Sequence, residues 1–198
     1  TKRPERMRDY LYKRDSRGSS IPSNCWLGVS AEDQQRWDER VPTLASIPAE
    51  VLFVSVEPML GPIDFASGFE PCRYCVDGLP DPETNVVECR RCDGSGIGDE
   101  FNVDWVIFGG ESGQHARPCN VEWIRDGLRQ CKAAGVPAFV KQLGAVSVEE
   151  KLGYTLTELT GGFMIEGSAS ARTLNLASSK GGDPTEWPSD LNVREFPR

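Results

Sequence analysis

Val51-Leu52-Phe53-Val54-Ser55-Val56-Glu57-Pro58 is the stretch that decides the fold. Six uncharged residues, rich in valine, read as a strand covered on both faces, the pattern of a parallel sheet. Pro58 cannot donate to a ladder, so the strand stops there, with Glu57 held extended at its end. Val103 to Phe108 repeats the pattern and breaks at Gly109-Gly110-Glu111-Ser112-Gly113. Asn24 to Ser30 and Pro137 to Lys141 supply two more strands. Helices are expected from Pro4 to about Lys13, from Ala31 to Ser46, and from Asn120 to Ala134. The first has proline in its opening turn and the last stops at Gly135, as helix chemistry prefers. Helix, strand, helix, strand, strand, helix, strand is the order of an α/β fold with a parallel sheet.

Between the two central strands lies Gly61 to Asn102, rich in Gly, Pro and Asp. Parallel neighbours need a crossover there, for which a short helix near Phe65 would serve. The expected organisation is therefore an α/β unit made of residues 1–60 and 103–146, an insertion over 61–102, and a tail over 147–198. That tail is polar and glycine-rich, without a clear period, and Trp187-Pro188 is expected to fold it back onto the α/β unit. Trp26, Trp105 and Trp123 are read as core or core edge.

The chain has 198 residues and a net charge of −8. An acidic chain is a poor binder of nucleic acid through bulk charge, although a local basic patch is compatible with it. No apolar run approaches the roughly 18–20 residues of a membrane span. The opening Thr1-Lys2-Arg3-Pro4 carries no apolar stretch of the signal-peptide kind. Seven cysteines, an odd number, fit a reducing compartment, the cytoplasm, with Cys25, Cys119 and Cys131 as free thiols.

The other four cysteines form two Cys-x-x-Cys pairs, Cys72/Cys75 and Cys89/Cys92, with thirteen residues between them. Each turn aims two sulfurs at one spot, and two turns make a tetrahedral thiolate cage of the kind Zn²⁺ prefers. Gly78, Gly94 and Gly96 supply small residues for a tight knuckle. Such a site is closed and structural, holding a loop together. Two disulfides, a redox pair or an iron–sulfur cluster are the alternatives. The second half, CRRCDGSG, resembles the Cys-x-x-Cys-x-Gly-x-Gly repeat of DnaJ-type zinc modules.

Ligands of parallel α/β folds meet the carboxyl ends of the strands. Ser30 closes the first strand, Ser55 and Glu57 the second, Gly110, Glu111 and Ser112 follow the third, and Lys141 and Gln142 close the fourth. One rim is thus expected to gather two carboxylates, an ammonium, an amide and several hydroxyls. The paired glycines allow close approach of a ligand, and Glu111 is a candidate acceptor for an amine or ribose hydroxyl. A solvated turn glutamate and a structural Glu57 ion pair are the plain readings of the same residues. Lys141 is expected to pair with one of the two carboxylates. His115, the single histidine, lies in a loop with Arg117 and has no nucleophile motif beside it.

TKRPERM (1–7), VLFVSVEPMLGPID (51–64), VDWVIFGGESGQHARP (103–118) and WIRDGLRQCKAAGVPAFVKQLG (123–144), with the ending GGDPTEWPSDLNVREFP (181–197), resemble a family of phage and prophage proteins similar to radical-SAM enzymes. The resemblance implies a partial (β/α) barrel, into which the four-cysteine zinc knuckle read from the spacing would be inserted. It implies that Glu57, Glu111, Ser112, Lys141 and Gln142 face the barrel mouth. It also implies S-adenosylmethionine and a [4Fe–4S] cluster held by a Cys-x₃-Cys-x₂-Cys set. That set is not in this sequence, and Cys25, Cys119 and Cys131 are too scattered to replace it. The expectation is the C-terminal part of a radical-SAM-like enzyme, completed by an N-terminal barrel half or by a second copy. Its substrate would be a small molecule, a nucleotide or a nucleic-acid base. The alternative is a non-catalytic zinc-knuckle module that binds nucleic acid or protein.

Overall fold

The computed structural model of the protein describes residues 1–15, 21–65, 75–76, 79–80, 103–159 and 162–197. Its centre is a four-stranded sheet of β1 (Leu27–Ser30), β2 (Leu52–Val56), β5 (Trp105–Gly109) and β7 (Ala138–Gln142), side by side in chain order. All three pairings are parallel, with Val29 opposite Val54, Val54 opposite Val106, and Phe108 opposite Val140. Among the described residues the sheet is open. Every strand delivers its carboxyl end to one edge. Thr1 adds to this arrangement: its amino group donates to the Gly28 carbonyl at 2.8 Å, and Ser30 N–H donates to its carbonyl at 2.9 Å. Those two bonds are the parallel-ladder pattern on the outer side of β1.

The three helices are α1 (Pro4–Asp15), α2 (Gln34–Ala45) and α3 (Val121–Ala133). The chain enters α2 later than the apolar pattern predicts. Ala31 N–H still bonds to the Ser55 carbonyl, prolonging the strand, and the Asp33 carboxylate then caps the helix through Arg36 N–H at 2.9 Å. Asn120 caps α3 through Glu122 N–H at 3.1 Å. Its other end is a Schellman motif: Gly135 takes φ +68°, and Val136 N–H returns to the Cys131 carbonyl at 2.9 Å. β1 begins at Leu27, after a turn closed by Cys25 N–H on the Pro22 carbonyl.

Strand alternation sorts the sheet into two unlike faces. Val29, Val54, Val56, Val106, Phe108, Ala138 and Val140 form one face, buried with Trp37, Val41 and Leu44 of α2 and Ile124 and Cys131 of α3. Met7 of α1 packs against the same core. Trp37, Phe65 and Phe108 meet edge to face, with centroids 4.5 and 5.9 Å apart. All three helices thus cover one side. The opposite face carries Gly28, Ser30, Phe53, Ser55, Trp105, Ile107 and Phe139, all half-buried. The expectation that both faces of β2 are covered holds for one face alone.

The tail contains a long antiparallel hairpin, β8 (Ser147–Leu159) with β9 (Gly162–Thr173). β8 also pairs in parallel with the two-residue β6 (Cys119–Asn120). Two 3₁₀ turns follow, Pro184–Glu186 and Ser189–Leu191. Trp187 is buried, and its indole N–H donates to the Gly181 carbonyl at 3.0 Å. Val140 N–H bonds to the Val193 carbonyl at 2.8 Å and Glu195 N–H to the Ala138 carbonyl at 2.9 Å, an antiparallel bridge on the outer edge of β7. Two short strands, β3 (Cys75–Val76) and β4 (Leu79–Pro80), pair antiparallel. The rest of the cysteine segment, including Cys72, Cys89 and Cys92, lies outside the described residues; of the short helix expected near Phe65, residues 61–65 are not helical and residues 66–74 lie outside the described residues.

Candidate functional site at the carboxyl edge of the sheet

Glu57 leaves β2 on the helix-free side and reaches across β5 to Lys141 of β7, with Nζ and Oε2 3.1 Å apart. Gly109 makes that reach possible. A Cβ built there would stand 3.1 Å from Cγ and Cδ of Glu57, so the glutamate lies over the glycine. The Glu57 side chain is 17% exposed and that of Lys141 57%. A pair this wet contributes at most about 1 kcal/mol to stability. Ser30 and Ser55 stand opposite each other in register on the same face. Ser30, Ser55, Glu57 and Lys141 therefore line one polar strip along the edge.

Gly110 and Gln142 lock the third and fourth strand ends together. Gly110 N–H donates to the Gln142 carbonyl at 3.0 Å, and the Gln142 amide returns to the Gly110 carbonyl at 2.9 Å. The space that Gly110 leaves is taken by the protein itself: a Cβ there would meet the Leu143 carbonyl oxygen at 2.1 Å.

Glu111 is committed to Arg117. Its Oε2 accepts from Arg117 Nε at 2.7 Å and from Arg117 N–H at 2.9 Å, while Oε1 accepts from Nη2 at 3.1 Å. The guanidinium bonds, with the backbone N–H behind them, hold its carboxyl at about 2, well below the usual range. So Lys141 pairs with Glu57, and Glu111 closes its own loop. Ser112 and His115 are exposed on that loop.

One rim carboxylate escapes the sequence reading. Glu32, two residues beyond β1, is buried and binds Lys2 and Arg40, the latter at 3.0 Å. Arg40 also donates to the Ser30 carbonyl at 2.6 Å. Burial raises the Glu32 carboxyl. The Lys2 hydrogen bond, the backbone and the two cationic charges outweigh it and hold the group below its usual value. Glu32 is also among the charges that raise Arg117, which places the two neighbourhoods within electrostatic reach. The available signal was a charged residue just past a strand end, masked by the helix expected to begin at Ala31.

A family profile described as "Protein of unknown function (DUF5131)" matches residues 1–180. The chain belongs to the DUF5131 family. No curated protein and no solved structure matches it. The DUF5131 match takes in the whole sheet, every rim residue named above and the cysteine segment.

Among the described residues of this DUF5131 chain, no group of three or more His, Cys, Asp or Glu is placed to hold a metal ion. Burial pushes the Cys119 thiol up to about 12. Burial and the charge of Glu195 do the same for Cys131. Neither thiol is poised to be a thiolate ligand. Cys25 precedes β1, at the opposite end of the sheet from the rim. Of the four expected zinc ligands, Cys75 alone lies in the described residues, opening β3. Among the described residues, no helix is long and apolar enough to cross a membrane.

Proposed function

We propose that this chain is the substrate-side part of a radical-SAM-like (β/α)-barrel enzyme, with the helix-free face of the sheet turned toward the barrel interior. The observation that carries the reading is a four-stranded parallel sheet in unbroken chain order with every described helix on one side. Doubly wound sheets reverse their strand order and take helices on both faces. A barrel wall does neither. The ladder bonds between Thr1 and β1 support a further parallel neighbour on that side. The strip of Ser30, Ser55, Glu57 and Lys141 then lies where barrel enzymes bind their ligands.

In this reading the rim binds and orients a small polar ligand, a nucleotide or base-bearing molecule. Lys141 offers a cation, Glu57 an acceptor for hydroxyl or amine protons, and the two serines neutral hydrogen bonds. S-adenosylmethionine with a [4Fe–4S] cluster would supply the radical chemistry. The described cysteines do not fit the cluster: Cys25, Cys119 and Cys131 are scattered, and the last two are buried.

Ligand binding tests the proposal. Isothermal titration calorimetry should report binding of S-adenosylmethionine or a nucleotide to the full chain. Glu57→Gln and Lys141→Met should each weaken it at least tenfold. Binding that is indifferent to both substitutions would sink the assignment of the rim.

The second reading, a zinc-knuckle binding module, is favoured by the short antiparallel pair of β3 and β4, which opens on Cys75 itself. Cys72, Cys75, Cys89 and Cys92 would then hold one Zn²⁺. Elemental analysis should find about one zinc per chain and no iron. Cys72→Ser with Cys89→Ser should abolish metal uptake and leave the circular dichroism of the α/β unit intact. Iron in place of zinc would overturn the knuckle.

A further inference from the structure

Residues 1–18 carry seven basic side chains against three acidic ones, while the rest of the chain carries 15 against 27. The excess of basic over acidic side chains in an acidic protein thus falls in the one segment that holds α1. The inward side of α1 is apolar: Met7 packs against the core, and Leu11 is half-buried. Its outward side is a stripe of Arg3, Arg6, Tyr10 and Lys13, at spacings that put all four on one face. With Glu5 and Asp9 these side chains line a shallow depression of about 550 Å³. Asp9 has Arg8 beside it at 3.6 Å, which offsets part of its charge. Tyr10, at 61%, is the most exposed large hydrophobic side chain among the described residues.

An exposed ring set between cations fits a particular kind of partner. A bilayer needs an outward apolar stripe, and here Met7 and Leu11 are turned to the protein. A flat aromatic face flanked by guanidinium groups matches a base and its phosphates, the combination that single-stranded nucleic acid uses. We infer that α1 is a contact surface for single-stranded nucleic acid, with Arg3 and Arg6 on phosphates and Tyr10 stacked on a base. This surface lies on the helix side and stands whether or not the rim binds a ligand.

Fluorescence anisotropy with a labelled oligothymidylate of about 20 nucleotides, titrated with the full chain, tests it. Wild type should bind, and its affinity should fall as salt rises between about 50 and 200 mM. Arg3→Gln with Arg6→Gln should lower the slope of log affinity against log salt by about 1.4, since each lost phosphate contact removes about 0.7 for a single strand. Tyr10→Ala should weaken binding about tenfold and leave that slope unchanged. Arg129→Gln, an exposed cation on α3, should change neither quantity. All these side chains are on the surface, and unchanged circular dichroism would verify folding. Absence of binding at the lowest salt would overturn the inference, as would equal losses in Arg129→Gln. So would tighter binding to polyglutamate or to phosphatidylserine vesicles than to the oligonucleotide.

Discussion

Replacing Gly110 with alanine should destabilise the protein more than any other single methyl group added at the carboxyl edge. The new Cβ would lie 2.1 Å from the Leu143 carbonyl oxygen, 2.6 Å from its carbon and 2.8 Å from Gly144 Cα. All three atoms are backbone, so no rotamer change relieves the clash, and the two loops must part by about an ångström. Parting them strains the reciprocal bonds between Gly110 and Gln142. Overpacking of this kind costs about 3 kcal/mol, which for a chain of this length lowers the melting temperature by about 6–12 °C. Gly61→Ala is the matched control, because nothing lies within 4 Å of its would-be Cβ. That change should stay within about 0.5 kcal/mol of wild type. Thermal melts by circular dichroism, checked by urea titration, give both numbers. If Gly110→Ala melts together with Gly61→Ala, the close approach of the two loops is wrong, and the locked rim with it.

Glu111 has a depressed folded-state pKa, so the stability it contributes is present above its ordinary carboxylate pKa and fades as pH falls toward about 2. A carbon-detected NMR titration should place its midpoint near 2, and a midpoint at the ordinary value would refute the Arg117 clamp. Alkylation by iodoacetamide at about pH 8, mapped by mass spectrometry, should label Cys25 and spare Cys119 and Cys131, whose thiols stay protonated there. Equal labelling of all three would show the buried sites to be open. Arg125→Ala should cost about 3 kcal/mol by urea titration. Arg125 bridges Glu122 at 2.7 Å, Glu149 at 2.7 Å and Asp190 at 2.5 Å, and its loss leaves the buried Glu149 to Arg172 alone. A loss under about 1 kcal/mol would mean the network is no more than a surface ion pair.

The four strands were legible because apolar runs ending in Pro58, Gly109 or a polar pair mark them without ambiguity. Their common direction followed from the helices between the first two and the last two, and for the central two from the doubly covered apolar pattern. What composition cannot reveal is which face of a strand the helices take. Phe53 and Ile107 look as deeply buried as Val54 and Val106 in the sequence, yet they occupy the half-exposed side. The partner of Lys141 was equally hidden, since it depends on Gly109 making room for Glu57 and on Arg117, six residues on, claiming Glu111. The hairpin of β8 and β9 escaped notice because Gly153, Gly167 and several charged residues interrupt the period-two alternation that announces a strand. Its pairing is carried by backbone bonds, which leave little trace in side-chain pattern.

The bridge that residues 193–195 make along β7 has a consequence for solubility. With Gly181 and Lys180 accepting from Leu143 and Gly144 just above it, that border of the sheet offers a visiting chain few unsatisfied amides. Open borders are where β-proteins recruit one another into aggregates. Among the described residues of the four-stranded sheet, that leaves the β1 flank, where Thr1 already takes two ladder bonds, as the border open to recruitment.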